Sequence, residues 1–247
     1  MRFGSSFAPG PLSISARTAI DHCTKCTQWL LPQHCLLCTA PATADPVCAA
    51  CAAEMPSLAG PRCPQCALPN ATGKVCGACI GDPPAYTAVS AAWAYAWPLT
   101  IAIRQFKYAG NLALTRWLGA AIVATQRSTV DLIVPMPLAP ARLRERGFNQ
   151  ALELARHVGT ATAIAVDAGA VRRVRDSAPQ AMLPWRERAR NIRGAFVYER
   201  DLSGLRVAVV DDVMTTGATL NEIARALRGA GAVEVHGWMV ARTLKQV

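Results

Sequence analysis

Ten cysteines lie between positions 23 and 79 of a 247-residue chain, and none follows. They form five Cys-x-x-Cys pairs: Cys23/Cys26, Cys35/Cys38, Cys48/Cys51, Cys63/Cys66 and Cys76/Cys79. Two thiolates three positions apart on a tight turn face one Zn2+, and two such knuckles complete a tetrahedron. Four protein ligands leave no open position, so this chemistry is structural rather than catalytic. The run Cys35-x2-Cys38-x9-Cys48-x2-Cys51 recurs as Cys63-x2-Cys66-x9-Cys76-x2-Cys79. CLLCTAP matches CPQCALP, and VCAAC matches VCGAC. Two tandem zinc ribbons are the simplest reading. The spacing equally permits an interleaved pairing of first with third knuckle and second with fourth. Gly60, Pro61, Arg62, Pro64, Gly73 and Gly77 suit the turns and a lowered thiol pKa. Cys23/Cys26 has no partner knuckle; its spacing fits a redox pair, an accessory ligand set or, as the better account, a chance pair in a frayed terminus.

A second segment carries a different chemistry. In VAVVDDVMTTGATL (Val207–Leu220) an apolar, β-branched strand ends in two adjacent carboxylates, Asp211 and Asp212. A loop of Thr215, Thr216 and Gly217 follows, and then a helix opens. Ligands of open α/β sheets bind beyond the carboxyl ends of strands. Successive backbone N–H groups, Thr hydroxyls and a helix N-terminus make a phosphate cradle. Carboxylates beside a phosphate seat suit a ligand that also has vicinal hydroxyls, and a ribose phosphate has both.

Charge points the same way. The chain carries +10, and 22 of its 26 basic residues are arginine, with twelve between Arg142 and Arg200. Guanidinium forks suit phosphate. The expected partners are polyanions or phosphorylated small molecules, although a bias toward Arg codons accounts for the overall excess equally well. Arg186, Arg188, Arg190 and Arg193 form either a solvated face or a track for a DNA backbone. Phe106, Tyr108 and Trp185 read as packing residues, and His157 reads as a helix-face residue.

Positioning these groups requires a framework. At 52% apolar and 17% charged, the chain can bury a core, which excludes wholesale disorder. No uninterrupted apolar run is long enough to span a bilayer, and no secretory signal is visible, so the expected location is the cytoplasm. Strands are expected at Ala88–Ala96, Asp131–Val134, Phe196–Tyr198, Arg206–Val210 and Val233–Arg242. Helices are expected at Pro98–Tyr108, Leu112–Thr125, Phe148–Val158 and Ala218–Arg228. The alternation argues for an α/β domain with a mainly parallel sheet. The division is an extension at 1–29 read as disordered, a double zinc ribbon at 30–84 and an α/β domain at 85–247.

Val207–Leu220 resembles the phosphoribosyl-pyrophosphate motif of type I phosphoribosyltransferases. From about Leu30 onward the chain resembles the ComF family, competence-associated proteins linked to DNA uptake. The resemblance rests on the cysteine-rich region, Phe106-Lys107-Tyr108, VPMPLAPARLRERGFNQA (Val134–Ala151), APQAMLPWRERARNIRGAF (Ala178–Phe196) and VDDVMTTGATL. It implies a type I phosphoribosyltransferase-like parallel sheet domain preceded by a small cysteine-rich zinc-ribbon domain.

It also implies roles. Asp211 and Asp212 would bind ribose hydroxyls. Thr215, Thr216, Gly217, Ala218 and Thr219 would hold the 5′-phosphate, with Val213 and Met214 counted among the ligand-binding residues. Pro135, Met136, Pro137 and Leu138 would approach the pyrophosphate, and Arg142, Arg144 and Arg146 would lie in or near a mobile closing loop. By their own pattern these three arginines also fit a solvated helix start. Mg2+ would arrive with the diphosphate, beside two structural Zn2+ held by Cys35, Cys38, Cys48, Cys51, Cys63, Cys66, Cys76 and Cys79. Two classes of function follow. One is a DNA-uptake accessory protein that senses ribose phosphate, binds single-stranded DNA and meets uptake proteins, reaching the inner face of the membrane through them. The other is an active phosphoribosyltransferase. The last strand carries no acceptor-base signature, which weighs against turnover.

Overall fold

The structure, a computed structural model, describes residues 33–42, 45–169, 171–173 and 194–244. Cys23, Cys26, the 1–29 extension, Trp185 and the four arginines from Arg186 to Arg193 lie outside the described residues. The chain forms two compact units, Met1–Ala49 and Ala50–Val247. In the first, strands β1 (Gln33–His34) and β2 (Pro41–Ala42) pair antiparallel around the Cys35–Cys38 turn.

The second unit begins with two single-turn helices, α1 (Ala49–Ala53, which starts at the boundary) and α2 (Gly77–Gly81). It continues with β3 (Ala88–Ala94), α3 (Leu99–Tyr108), α4 (Leu114–Thr125), β4 (Leu132–Pro135), α5 (Pro140–Arg146) and α6 (Gln150–Thr162). Short strands β5 (Ala165–Val166), β6 (Val171–Arg173) and β7 (Phe196–Tyr198) follow. The chain then runs through β8 (Arg206–Met214), α7 (Ala218–Gly229) and β9 (Glu234–Arg242). Strands β3, β9, β8, β4 and β5 form one five-stranded sheet in that order, every pair parallel. β6 and β7 form a separate antiparallel pair.

The centre of the sheet follows from composition. RVAVV in β8 is β-branched and apolar on both sides, as a strand covered on both faces must be. Val207 and Val209 join Leu220, Ile223, Ala224 and Leu227 of α7 in one core cluster. Ala208 and Val210, also fully buried, point to the other face by the period of two. There α4 and α6 pack together, and a side chain at Gly119 would strike the His157 ring. His157 is therefore a helix-face residue, as expected.

β8 and Tyr108 differ from the sequence expectation, and α5 takes one of the two readings it left open. β8 runs four residues further, so Asp211 and Asp212 lie within the strand and not after it, because β9 continues to pair up to Met214↔Arg242. Arg142, Arg144 and Arg146 sit on the short helix α5, opened by Pro140 and stopped by Gly147 at φ +79°. Tyr108 is 64% exposed and not a packing residue, whereas Phe106 is buried and packs on Phe148 at 6.0 Å between ring centroids.

Candidate functional site

The thiols gather as two groups, Cys35/Cys38/Cys48/Cys51 and Cys63/Cys66/Cys76/Cys79, with the sulfurs of each within 4.8 Å of one another. Consecutive knuckles pair, which resolves the choice that spacing left open. Cys38 Sγ to Cys48 Sγ and Cys66 Sγ to Cys76 Sγ are both 3.7 Å. A tetrahedron with Zn–S bonds of about 2.3 Å has edges of about 3.8 Å, so the residues fit Zn2+. Backbone donors repeat with the sequence. Cys48 N donates to Cys35 Sγ at 3.3 Å, and Cys76 N donates to Cys63 Sγ at 3.4 Å. Thr39 and Ala67, equivalent in the repeat, both take left-handed backbone conformations after their knuckles. Burial raises the first thiol of each group, yet these N–H donors prevail. They hold Cys35 down to about 6 and Cys63 down to about 7. Those two thiols are therefore predisposed to the thiolate form that a metal requires.

The second site lies where the sheet reverses its winding. From β4 the chain crosses through α6 to β5 on one side; from β8 it crosses through α7 to β9 on the other. A crevice opens between β4 and β8 at such a switch point. The last β4–β8 contact is Met136 N to Val210 O at 2.9 Å. Beyond it, β8 presents Asp211, Asp212, Val213 and Met214 without β4 alongside. Met136, Pro137 and Leu138 turn away into the loop before α5, and Asn149 Nδ2 holds the Met136 carbonyl at 3.0 Å. Asn149 also caps α6, its Oδ1 accepting from Ala151 N.

Asp212 is buried and pairs with Lys107 Nζ at 2.9 Å. Asp211 is half-buried, and its Oδ1 accepts from Asp212 N at 2.8 Å. Burial and the adjacent Asp212 charge push Asp211 up to about 7, against the pull of Lys107 and Arg146. Arg146 lies over the Tyr108 ring, 4.9 Å from its centroid, so it reaches this cluster from α5. Arg142 is half-buried and Arg144 is exposed.

After Met214 the chain turns through Thr215, Thr216 and Gly217 into α7. Thr216 Oγ1 accepts from Ala218 N at 3.1 Å. Among the described residues, the N–H groups of Thr216, Gly217 and Thr219 have no acceptor. Gly217 has φ +83°, and a Cβ there would lie 2.5 Å from Met214 Cε and 3.2 Å from the Tyr86 hydroxyl. Glycine is thus required twice, for its conformation and for close packing. The loop carbonyls are held from behind. The buried Arg242 donates through Nη1 to the carbonyls of Met214 (3.0 Å), Thr243 (2.9 Å) and Thr215.

Sequence reasoning missed Lys107, Asn149 and Arg242. The Phe106-Lys107-Tyr108 and Phe148-Asn149-Gln150 runs were visible, but nothing local marks which member reaches the crevice. A separate cavity of about 750 Å3 follows the outer edge of β3, lined among others by Ser57, Arg62, Ser90, Arg127 and Trp238. It contains none of the crevice residues.

Residues 26–80 match the double zinc ribbon domain family, and residues 145–245 match the phosphoribosyl transferase domain family. DNA utilization protein YhgH of Salmonella typhi is 36% identical over 170 residues, covering 66% of this chain and 75% of that protein. Competence protein F of Haemophilus influenzae is 34% identical over 159 residues, covering 60% and 69%. Among solved structures, the glutamine phosphoribosylpyrophosphate amidotransferase from B. subtilis, complexed with ADP and GMP, aligns with a TM-score of 0.37. Its identity is 23%, over 51% of this chain and 26% of that one. A double zinc ribbon joined to a phosphoribosyltransferase-type parallel sheet, in a sequence this similar to competence protein F, places the chain in the ComF family.

Proposed function

We propose that this protein is an accessory factor of DNA uptake whose α/β domain binds phosphoribosyl pyrophosphate, or a related ribose phosphate, together with Mg2+. The observation that carries this reading is the crevice at the β4/β8 switch point, where Asp211 and Asp212 stand beside the open N–H groups of the Thr215–Thr219 loop. Asp212 is committed to Lys107, so Asp211 is the freer acceptor for ribose hydroxyls. Thr215, Thr216, Gly217, Ala218 and Thr219 take the 5′-phosphate at the start of α7, with Val213 and Met214 as the strand end behind them. Pro135, Met136, Pro137 and Leu138 border the diphosphate, and Arg146 offers it a guanidinium, with Arg142 and Arg144 nearby on α5. Mg2+ is carried mostly by diphosphate oxygens and water.

The relatives' names support a role in handling DNA. Single-stranded DNA and DNA-uptake proteins are the proposed macromolecular partners, with Arg186, Arg188, Arg190 and Arg193 as the proposed phosphate contacts. No helix among the described residues is long and apolar enough to cross a membrane. The proposed location is the cytoplasm, peripheral to the membrane through partners. Turnover is a second reading, favoured by Arg146 beside the acidic pair. In it the C1′–O bond breaks, pyrophosphate leaves with the electron pair, and an acceptor nitrogen bonds to C1′ through an oxocarbenium-like state.

Calorimetric titration of phosphoribosyl pyrophosphate with Mg2+ into zinc-loaded protein tests the proposal. Wild type binds, and an Asp211→Asn/Asp212→Asn variant loses that binding. Absence of heat at millimolar ligand overturns the ribose-phosphate reading and leaves DNA handling without it.

A further inference from the structure

Arg242 is 2% exposed, at the end of the last strand. Among the described residues no carboxylate forms an ion pair with it. Its partners are backbone carbonyls of two kinds. Nη1 holds Met214, Thr215 and Thr243 behind the crevice loop. Nε donates at 2.8 Å to the carbonyl of Cys66, a ligand of the second thiol group. One planar guanidinium therefore spans a metal knuckle and the loop whose N–H groups face the crevice.

Electrostatics give this arrangement a reason. A buried cation with only neutral acceptors is costly. Zn2+ held by four thiolates is a net anion, and the second group lies next to this guanidinium. The metal centre then serves as the counter-ion of Arg242, and Arg242 as the clamp of the loop. Tyr86 reinforces the connection. It follows the second ribbon in sequence, is buried, and sets its hydroxyl against Gly217. Leu58, Ala67 and Tyr86 belong to the same core cluster as Met214 and Leu220.

We propose that Arg242 is a positioning residue through which the Cys63/Cys66/Cys76/Cys79 centre holds the Met214–Gly217 loop in its anion-receiving shape, so that metal occupancy there and ligand affinity at the loop rise and fall together. The ligand side of this statement rests on the ribose-phosphate reading; the loop side does not.

The test separates the two. A Cys38→Ser chain carries metal only at the second centre. Amide hydrogen exchange is measured at Ala218, Asn221 and Thr243, whose N–H groups bond to Thr216, Gly217 and Met214 of the loop, before and after chelation of that zinc. The expected result is at least tenfold faster exchange at these amides, with those of β4 unchanged. Equal exchange at them with and without zinc overturns the proposal, whatever the ligand does. In the same chain, phosphoribosyl pyrophosphate with Mg2+ is expected to raise the equilibrium zinc affinity, read by competition with a chromogenic chelator, by the same factor as zinc raises the ligand's affinity, because coupling between two sites is reciprocal. Arg242→Lys keeps the charge but not the fork. It is expected to retain its zinc, bind the ligand at least tenfold more weakly and lose the protection. Full affinity in Arg242→Lys also overturns the proposal. A wild type that binds no ligand while its loop still responds to zinc loss overturns only the ribose-phosphate reading.

Discussion

Lys107 Nζ lies 2.9 Å from Asp212 Oδ2, so the end of α3 is fastened to β8 just where β4 leaves it. Asp212 is 5% exposed. Removing one member of a buried pair strands the other charge, at a cost on the order of 3 kcal/mol. Lys107→Met is therefore expected to lower the free energy of unfolding by about that amount, moving the urea midpoint down by the same energy divided by the m-value, and Lys107→Arg to lose much less. Equilibrium unfolding followed by Trp fluorescence measures both.

Asp211 gives the crevice a pH dependence. Its folded value, pushed up to about 7 by burial and by Asp212, lies above the ordinary unfolded value of about 3.9. The folded state thus holds the proton over that interval, and its stability relative to the unfolded chain falls as pH rises through it. Asp211→Asn is expected to melt higher than wild type at pH 8 and level with it at pH 4. Ligand affinity should run the opposite way in wild type, strengthening as pH passes upward through 7 and the carboxylate ionises. Thermal melts across pH 4–8 and titrations across pH 5–8 read both slopes.

Two glycines distinguish conformation from space. Gly147 and Gly217 have φ +79° and +83°, but only Gly217 is crowded. Gly147→Ala is expected to cost about 1–2 kcal/mol from backbone strain alone. Gly217→Ala should cost at least about 1 kcal/mol more, because Met214 and Tyr86 must move. Chemical denaturation of the two variants side by side gives the difference.

Metal content follows from the two thiol groups. Elemental analysis is expected to find two zinc ions per chain, one after Cys38→Ser and one after Cys76→Ser. A count unchanged by either substitution would refute the two-centre assignment.

For the nucleic-acid contact, Arg186→Ala and Arg190→Ala are each expected to weaken single-stranded DNA binding. Each should also reduce the slope of log affinity against log salt by somewhat less than about 1. Asp211→Asn should leave that binding unchanged.

The repeat was the most legible feature of the sequence, although its spacing alone left the pairing of the knuckles open. A matched spacing of thiols dictates a matched spacing of the N–H groups that serve them, as the Cys48–Cys35 and Cys76–Cys63 contacts show. The sheet was also legible, because RVAVV is an apolar, β-branched run of strand length between turn signals. The extension of β8 through two aspartates was not, since Asp is depleted in strands and only pairing with β9 keeps the segment extended. For α5 the sequence left a loop and a helix start both open, because alternating Arg and Glu carry no apolar stripe; Pro140 and Gly147 were the markers that favoured the helix. Lys107 and Arg242 could not be read locally. Arg242 meets Cys66 across 176 residues, a proximity that only the packed fold creates.

That long-range contact also bears on how such chains arise. A zinc ribbon and a parallel sheet look like cassettes that recombination could shuffle. Here a graft of the second ribbon onto another sheet would arrive with the Cys66 carbonyl lacking its donor, and a sheet stripped of its ribbon would keep a buried guanidinium short of an acceptor. The knuckle and position 242 are heritable only as a set, so viable chimeras should cross over ahead of Cys63 or exchange both ends together.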